Sequence, residues 1–207
     1  VQGEGGVFPL DAAFLSSIRR VADARGFLVV ADEIQSGLGR TGSFLASNDS
    51  GLSPDGILLG KALGGSLVKL AALAVRLSRW ADELPLVATG TFVDDDLSMR
   101  VGQAVLRLLD EGDVPGRCAR VGAALLARLR EVAARHPTVV REVRGKGLML
   151  GVELTVPGQA GEAPPLLEQL AQSGYLAAAV AGHLLHAHAI RTAPTLSALS
   201  VLRVKPS

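Results

Sequence analysis

The pattern of hydrophobic and polar positions predicts alternating helices and strands over the first half of the chain. Asp11 can cap a helix whose apolar residues recur at helical spacing, and Gly26 can end it. Those apolar residues are Phe14, Leu15, Ile18, Val21 and Ala22. Apolar runs at residues 27–31 and 56–60 predict two buried strands, and residues 70–75 predict a third. This alternation indicates an α/β fold, with flanking helices on a mostly parallel sheet.

The pattern changes after about residue 96, where long helices begin. Residues 97–109 and 114–136 carry apolar positions at helical spacing, and Pro137 ends the second helix. Their inward positions are Val101, Ala104, Val105 and Leu108 in the first, and Val121, Leu125, Leu129 and Val132 in the second. The remaining predicted elements are a tight glycine turn at 144–147, a strand at 148–154, helices at 165–173 and 176–188, and short strands near Ile190 and Val201. We expect a domain boundary near residue 110.

Composition and charge exclude several classes of function. The 207 residues are 48% hydrophobic and 20% charged, which is typical of a globular protein. The net charge of +1 gives no reason to expect nucleic acid or an acidic membrane as a partner. No apolar run reaches the roughly 18 residues of a membrane helix, and we expect no signal peptide in these residues, which begin at Val1 rather than at a Met. The single cysteine, Cys118, excludes an internal disulfide, so we expect a cytoplasmic protein.

Chemically useful side chains follow the first two predicted strands. One strand finishes in Asp32, with Gln35 close behind, and the other finishes in Lys61. Because ligands of open α/β sheets bind beyond the carboxyl ends of the strands, we expect both groups to face one crevice. An amine there can form a Schiff base with an aldehyde cofactor, while a carboxylate keeps a pyridine nitrogen protonated, as pyridoxal phosphate chemistry requires. From spacing alone, an Asp32–Lys61 pair that only supports the fold is the commoner arrangement.

The residues around these two positions resemble the class III pyridoxal-phosphate-dependent aminotransferases. These are fold type I enzymes that include the ornithine and acetylornithine aminotransferases. The similarity includes the separation between Asp32 and Lys61 and extends over nearly the whole chain. The segments that carry it are Gln2-Gly3-Glu4-Gly5-Gly6, residues 32–44, residues 54–65, Thr91-Phe92 and residues 144–154.

The resemblance implies both a domain organisation and an activity. Residues 1–110 would be the C-terminal part of the large cofactor-binding domain, and residues 111–207 a small C-terminal α+β domain, with the N-terminal half of the enzyme absent. The activity would be transamination between an amino acid or amine donor and a keto acid or aldehyde acceptor, in a homodimer with shared active sites. Another reaction of the same class (an aminomutase, an epimerase or a decarboxylase) and an inactive fragment are the alternatives. The groups that separate these reactions lie largely in the N-terminal half.

The resemblance also assigns roles to individual residues. Lys61 would form the Schiff base with pyridoxal phosphate and later move a proton, and Asp32 would pair with the pyridinium nitrogen. Ile34 would pack on one face of the ring, and Gln35 would hydrogen-bond the phenolic oxygen of the ring. Thr91 would reach the phosphate of the neighbouring subunit's cofactor.

Glu4 resembles a glutamate that covers or replaces a substrate carboxylate at an arginine. Two Arg-x-x-Pro segments, beginning at Arg191 and Arg203, can supply that arginine. We prefer Arg203 because of its place on the later predicted strand. A guanidinium suits a carboxylate because it can donate two parallel hydrogen bonds.

Three features depart from the family or suggest other sites. The family usually has Gly-Asn-Pro-Leu after Thr-Phe, but this chain has Val93-Asp94-Asp95-Asp96, and we expect Asp96 to cap the helix that begins at Leu97. The usual His before Thr-Phe is missing, with Ala88 and Thr89 in that region. His183, His186 and His188 have no acidic ligand nearby, so we expect a solvated helix face and no metal site.

Overall fold

The computed structural model describes residues 1–84, 90, 93, 95–156 and 164–205. The helices are α1 (Ala12–Arg25), α2 (Asp96–Glu111), α3 (Val114–Arg135), α4 (Pro165–Gln172) and α5 (Leu176–His188). The strands are β1 (Val30–Asp32), β2 (Gly56–Leu59), β3 (Ala72–Val75), β4 (Val140–Lys146), β5 (Met149–Leu154), β6 (Ala193–Pro194) and β7 (Val201–Val204). Short 3-10 turns lie at Asn48–Ser50, Lys61–Gly64 and Leu77–Arg79.

The chain divides into two compact units. Leu10–Arg117 form one, which we call the β1–β3 unit. Val1–Pro9 and Cys118–Ser207 form the other, the β4–β7 unit. The first nine residues therefore group with the C-terminal part of the chain rather than with the residues that follow them.

A mixed three-stranded sheet forms the centre of the β1–β3 unit, in the order β1-β2-β3. β1 and β2 are parallel, as the apolar runs predict, with Ala31 opposite Ile57. β3 runs antiparallel to β2, with Ala74 opposite Ile57, so the sheet is not mostly parallel here. The link from Leu59 to Ala72 contains a 3-10 turn and no crossover helix, and a crossover is what a parallel return requires.

The first apolar run is less buried than its sequence predicts. β1 starts only at Val30, and the side chains before it are exposed, Phe27 by 60% and Leu28 by 65%. β1 is an edge strand with β2 as its one neighbour in the sheet, so its apolar flank is uncovered within the described residues. On α1, Leu15 and Ala22 are buried, whereas the predicted inward residues Phe14 and Val21 are more than half exposed. These exposed side chains line one open apolar groove.

Helix ends show which predicted caps form. Asp11 accepts hydrogen bonds from the N–H groups of Ala13 (2.8 Å) and Phe14 (3.2 Å), and Gly26 ends α1 at a φ of 70°, both as predicted.

The N-terminal cap of α2 differs from the prediction. This cap is Asp95, one residue before Asp96, and the Oδ2 atom of Asp95 accepts a hydrogen bond from the Ser98 N–H at 2.8 Å. The side-chain and backbone hydrogen bonds of Ser98 lower the pKa of Asp95. Asp96 instead lies in the first turn and pairs with Arg100 at 3.0 Å.

The β4–β7 unit contains an antiparallel sheet in the order β4-β5-β7-β6. Its core combines residues of this sheet with residues of α5, and side chains of α3 pack against them. The buried members are Val143, Val152, Leu154, Leu176, Ala177, Ala181 and Leu202. α4 and α5 lie within one residue of their predicted bounds. Leu170 of α4 and Val180 and Leu184 of α5 also pack against the core.

Two predictions in this unit are wrong: the turn at residues 144–147 and the inward face of α3. Close contacts at glycines explain both. Residues 144–146 are not part of a turn but complete β4, and the turn is Gly147-Leu148. Gly145 has a φ of +137°, and a Cβ there would lie 2.2 Å from the Met149 carbonyl oxygen, so glycine permits a close strand contact. On α3, a Cβ at Gly122 would lie 2.2 Å from the Gly147 carbonyl oxygen, so the helix turns this face to the sheet.

The rotation of α3 changes which of its side chains are inward. Val121 and Val132 are 47% and 39% exposed. Leu129 packs on the core as predicted, and Leu126 and Ala133 pack there in place of Val121 and Val132. On α2 the predicted face is also only partly covered, because Leu108 is 66% exposed.

Candidate active site

Asp32 and Lys61 lie at the same edge of the β1–β3 sheet. β1 and β2 are adjacent and parallel, so their carboxyl ends meet there. Asp32 is the last residue of β1 and pairs in register with Leu58, while Lys61 follows two residues after the end of β2 at Leu59. The ladder continues to this edge, because the Glu33 N–H donates to the Leu58 carbonyl at 3.0 Å. Both the Asp32 carboxylate and the Lys61 amine are exposed.

Ile34 connects the ends of the two strands. The Asp32 Oδ1 atom accepts a hydrogen bond from the Ile34 N–H at 3.0 Å, which turns the chain directly after β1. The side chain of Ile34 then lies over Gly60, where a Cβ would come within 3.3 Å of its Cγ2 atom. Gly60 therefore leaves room for Ile34 beside the residue that precedes Lys61. Gln35 follows in the same turn and is half-buried.

Lys61 has an unusual backbone conformation for a residue with a side chain. Its φ is 48°, in the left-handed region that costs a non-glycine residue about 1–3 kcal/mol. Such conformations cluster at functional sites. Within the described part of the chain, the Lys61 amine donates no hydrogen bond and forms no ion pair. The structure thus presents a free amine on a strained turn at the sheet edge.

Glu33 stabilises the loop that follows Asp32. Its carboxylate is buried and accepts hydrogen bonds from the N–H groups of Ala46 (2.6 Å) and Ser47 (2.7 Å). These bonds tie the turn after β1 to a segment more than ten residues further along the chain. Glu33 therefore faces away from the edge where Asp32 is exposed, and it supports the loop rather than acting beside Asp32.

Glu4 and Arg203 form an ion pair in the β4–β7 unit. The Glu4 Oε1 atom accepts a hydrogen bond from Nη1 of Arg203, and Oε2 accepts one from the Leu196 N–H at 3.2 Å. Arg203 lies on β7, and its side chain is 20% exposed. The alternative arginine, Arg191, is exposed and precedes β6. Thr91 lies outside the described residues, as do Ala88, Thr89, Phe92 and Asp94.

The family comparison agrees with the sequence motifs. The model named aminotransferase class-III matches residues 1–200. This chain belongs to the class III aminotransferase family. The resemblance noted from residues 32–44 and 54–65 is therefore confirmed.

Curated relatives of this family member carry names of two kinds. It is 41% identical over 177 residues to the diaminobutyrate–2-oxoglutarate aminotransferase of Rhizobium meliloti (strain 1021), which is 83% of this chain and 37% of that protein. It is 36% identical over 196 residues to the ornithine aminotransferase of Bacillus cereus (strain Q1), which is 95% of this chain and 46% of that protein. The chain thus spans less than half the length of these relatives.

Solved structures of ornithine aminotransferases share its fold. The enzyme from Toxoplasma gondii superposes with a TM-score of 0.82 at 28% identity, over 100% of this chain and 44% of that one. The Plasmodium falciparum ornithine delta-aminotransferase gives a TM-score of 0.79 at 27% identity, over 100% of this chain and 49% of that one. The α/β fold of type I is therefore confirmed for this family member.

A charged network that the sequence analysis did not single out lies at the opposite end of β2. Asp55 accepts hydrogen bonds from Arg19 (2.8 Å), from Arg79 (2.9 Å) and from the Val29 N–H (2.9 Å). The bonds from Arg19, then Val29 and Arg79, hold the pKa of Asp55 well below its ordinary value. The Asp55 carboxylate in turn raises the pKa of Arg19, with help from Asp23. This network joins α1 to the start of β2 and supports the sheet.

Two further features of the described residues bear on function. They contain no group of three or more His, Cys, Asp or Glu side chains that could hold a metal ion. His183 and His188 instead stack edge to face on α5, with ring centres 5.5 Å apart. Among the same residues, no helix combines the length and the apolar character needed to cross a membrane.

Proposed function

We propose that this chain is part of a pyridoxal-phosphate-dependent aminotransferase. Its reaction moves an amino group from an amino acid or amine donor to a keto acid or aldehyde acceptor. The observation that carries the proposal is the meeting of Asp32 and Lys61 at one edge of two parallel strands, in a chain of the class III family. We also propose, from the family resemblance, that residues 1–110 belong to the large domain of the enzyme and residues 111–207 to its small C-terminal domain, although Val1–Pro9 group with the β4–β7 unit.

The residues at the sheet edge fit the cofactor of this family. An exposed carboxylate ends β1, an apolar branched side chain and an amide follow it, and a free amine follows β2. A Cβ at Gly60 would crowd Ile34, so the glycine keeps the edge open beside the amine. When bound, pyridoxal phosphate supplies an aldehyde that condenses with amines and a protonated ring that withdraws electrons.

Each of these side chains would have a role toward the cofactor. Asp32 would accept the hydrogen bond of the ring N–H and keep that nitrogen charged. Ile34 would cover one face of the ring, and Gln35 would donate to the phenolic oxygen. Nζ of Lys61 would hold the cofactor through its aldehyde, and as a free amine it would move the proton at the substrate carbon that bears the amine.

Glu4 and Arg203 are proposed to select between substrates by their carboxylates. Diaminobutyrate and ornithine, the donors in the relatives' names, carry one carboxylate and a second amine. 2-Oxoglutarate, the acceptor in one of those names, carries two carboxylates. Glu4 neutralises Arg203 while no second carboxylate is present, and the second carboxylate of the acceptor replaces it. We therefore propose a diamino acid donor and 2-oxoglutarate as acceptor.

The proposed enzyme is a homodimer with shared active sites. The support for this is the family resemblance, in which the threonine at the position of Thr91 reaches the cofactor phosphate of the neighbouring subunit. The molecular mass in solution, measured on the protein at its natural length, tests the dimer directly.

Borohydride trapping is the sharpest test of the reaction centre. The protein at its natural length is loaded with pyridoxal phosphate, reduced with borohydride and digested, and the labelled peptide is sequenced. We expect the label on Lys61, and Lys61→Ala should lose both the label and amino transfer from ornithine or diaminobutyrate to 2-oxoglutarate. Lys69→Ala is the matched control and should keep both. A label on Lys69 would contradict the assignment, and labelling without transfer to the acceptor would favour an aminomutase, epimerase or decarboxylase.

A further inference from the structure

Residues 2–8 form a loop that carries Glu4, and we call it the Glu4 loop. A row of residues crosses three strands beneath this loop. Arg144 on β4 pairs in register with Gly151 on β5, and Gly151 pairs with Arg203 on β7. Residues opposite each other in neighbouring strands project to the same face of a sheet. The two arginines therefore project to one face with only a glycine between them. The loop lies over this row.

The middle of the loop is held against Gly151. Val7 is fully buried, and its φ is 59°, a left-handed conformation that β-branched residues rarely adopt. A Cβ on Gly151 would lie 3.0 Å from the Val7 Cβ and 3.2 Å from the Gly6 carbonyl oxygen. The loop thus touches the strand backbone, which only a glycine allows. Strain of this kind persists where surrounding contacts fix the conformation.

Arg144 supplies those contacts on one side of Gly151. Its Nε donates to the Gly6 carbonyl at 2.8 Å, and its guanidinium carbon lies 3.8 Å from the centre of the Phe8 ring. The distance is well within that of a cation–π contact. Arg144 therefore holds the residues on both sides of Val7. On the other side of Gly151, the same loop presents Glu4 to Arg203.

The charge of Arg144 is already neutralised by two carboxylates. Its Nη1 donates to Glu142 at 2.7 Å and to Glu153 at 2.6 Å, and its side chain is only 6% exposed. A buried cation needs such partners, and these two carboxylates more than offset its single positive charge, so little attraction remains for Glu4 or a substrate carboxylate. Two arginines on one face can therefore have separate tasks, Arg144 holding the loop and Arg203 binding carboxylates.

We propose that Arg144 is a positioning residue that sets where Glu4 meets Arg203, and thereby how strongly the enzyme prefers a dicarboxylate acceptor. The effect on acceptor preference rests on the proposed function, whereas the effect on the loop does not. If Arg144 is replaced, Glu4 no longer stays on Arg203, and the free guanidinium binds a second carboxylate more readily.

Hydrogen exchange tests the loop without any use of activity. The loop is closed by the Gln2 and Phe8 N–H groups, which donate to each other's carbonyls at 2.8 and 3.1 Å. Arg144→Lys keeps the buried charge but loses the planar fork, and Phe8→Leu removes the ring without touching that charge. Both variants should exchange these two amides several-fold faster while the amides of β5 and β7 stay protected. Arg141→Met is the control, because Arg141 also lies on β4 and pairs with Glu153 at 3.5 Å. This variant should leave the exchange rates of the Gln2 and Phe8 amides unchanged. Unchanged loop exchange in both variants would overturn the proposal.

Acceptor kinetics test the consequence. Arg144→Lys should lower the KM for 2-oxoglutarate several-fold but leave the KM for pyruvate, which has one carboxylate, nearly unchanged. The visible spectrum of the bound cofactor should also stay unchanged. Adding Glu4→Gln to Arg144→Lys should have no further effect, because Arg144 acts through Glu4. Equal changes for both acceptors, or additive effects, would contradict the positioning role. A wild-type protein that transfers no amino group would instead refute the proposed function and leave the exchange result standing.

Discussion

Ile34 packs directly over Gly60. This contact joins the turn after β1 to the turn that begins at Lys61. A Cβ on Gly60 would lie 3.3 Å from the Ile34 Cγ2 atom, closer than side chains normally pack. The φ of Gly60 is −176°, so the backbone itself would accept any residue. The space for Ile34, rather than backbone freedom, is what the glycine provides at the sheet edge.

Gly60→Ala should therefore displace Ile34 by a few tenths of an ångström and weaken cofactor binding. We expect the Kd for pyridoxal phosphate to rise several-fold, because Ile34 no longer covers the ring, while the thermal midpoint of the cofactor-free protein changes little. Fluorescence titration with the cofactor measures the first effect. Gly56→Ala is the control, because its Cβ would have ordinary contacts of 3.5 Å and more on the same strand. Equal Kd values for the two variants would contradict the role of Gly60.

Asp32→Asn should lower turnover strongly but keep part of the cofactor affinity. The amide retains a hydrogen-bonding group at the ring nitrogen but cannot stabilise its positive charge, so the ring withdraws electrons less well. We expect kcat to fall on the order of 10²-fold, as when one electrostatic contact to a developing charge is removed. Single-turnover kinetics with ornithine measure this step apart from product release. Unchanged turnover would show that the carboxylate only supports the turn at Ile34.

The local sequence pattern was sufficient to predict both ends of α1 and the sheet edge that Asp32 and Lys61 share. Asp11 and Gly26 cap α1 through contacts within one turn, and Asp32 and Lys61 lie at the same sheet edge because two apolar runs make adjacent parallel strands. These features depend on neighbours in the chain or on the pairing of two strands. The spacing of hydrophobic residues and the presence of cap residues are sufficient to predict them.

The remaining features depend on tertiary contacts that the hydrophobic pattern does not display. Gly145 is a strand residue because its backbone approaches Met149, and Gly122 turns α3 because it meets Gly147. Arg144 reaches the Gly6 carbonyl across 138 positions. The sequence does not distinguish a glycine in a turn from a glycine at a close backbone contact, or an exposed arginine from one buried under a loop. Only the folded partners distinguish these cases.

Asp55→Asn should lower stability at neutral pH and lose this effect in acid. The hydrogen bonds from Arg19, Val29 and Arg79 lower the pKa of Asp55 in the folded protein. The ionised carboxylate therefore stabilises the fold above the unfolded pKa of about 3.9, and this contribution disappears as the pH falls through that value toward the folded pKa. Urea midpoints of wild type and variant should differ at pH 7, and the difference should begin to shrink below about pH 4 and continue to shrink at lower pH.

A matched control separates this network from general surface charge. Asp23→Asn removes the other carboxylate that pairs with Arg19, at 2.6 Å, but its side chain is 61% exposed. Exposed pairs contribute little, so its urea midpoint should stay close to wild type at every pH. If Asp23→Asn and Asp55→Asn behaved alike, the burial of Asp55 between α1 and β2 would have no special importance.

Arg203→Met should weaken binding of the dicarboxylate acceptor and leave other steps intact. Loss of a hydrogen-bonded charge pair costs about 1.5–3 kcal/mol, so the KM for 2-oxoglutarate should rise roughly 10- to 100-fold. Glu4→Gln should have the opposite effect and lower this KM, because Glu4 no longer occupies the guanidinium that it pairs with in the structure. Arg191→Met provides the comparison, since Arg191 is the other arginine in an Arg-x-x-Pro segment and is exposed. We expect its KM for 2-oxoglutarate to match wild type. A large rise in KM for Arg191→Met with none for Arg203→Met would transfer carboxylate binding to Arg191, and Glu4 would then have only the structural task of holding its own loop to β7.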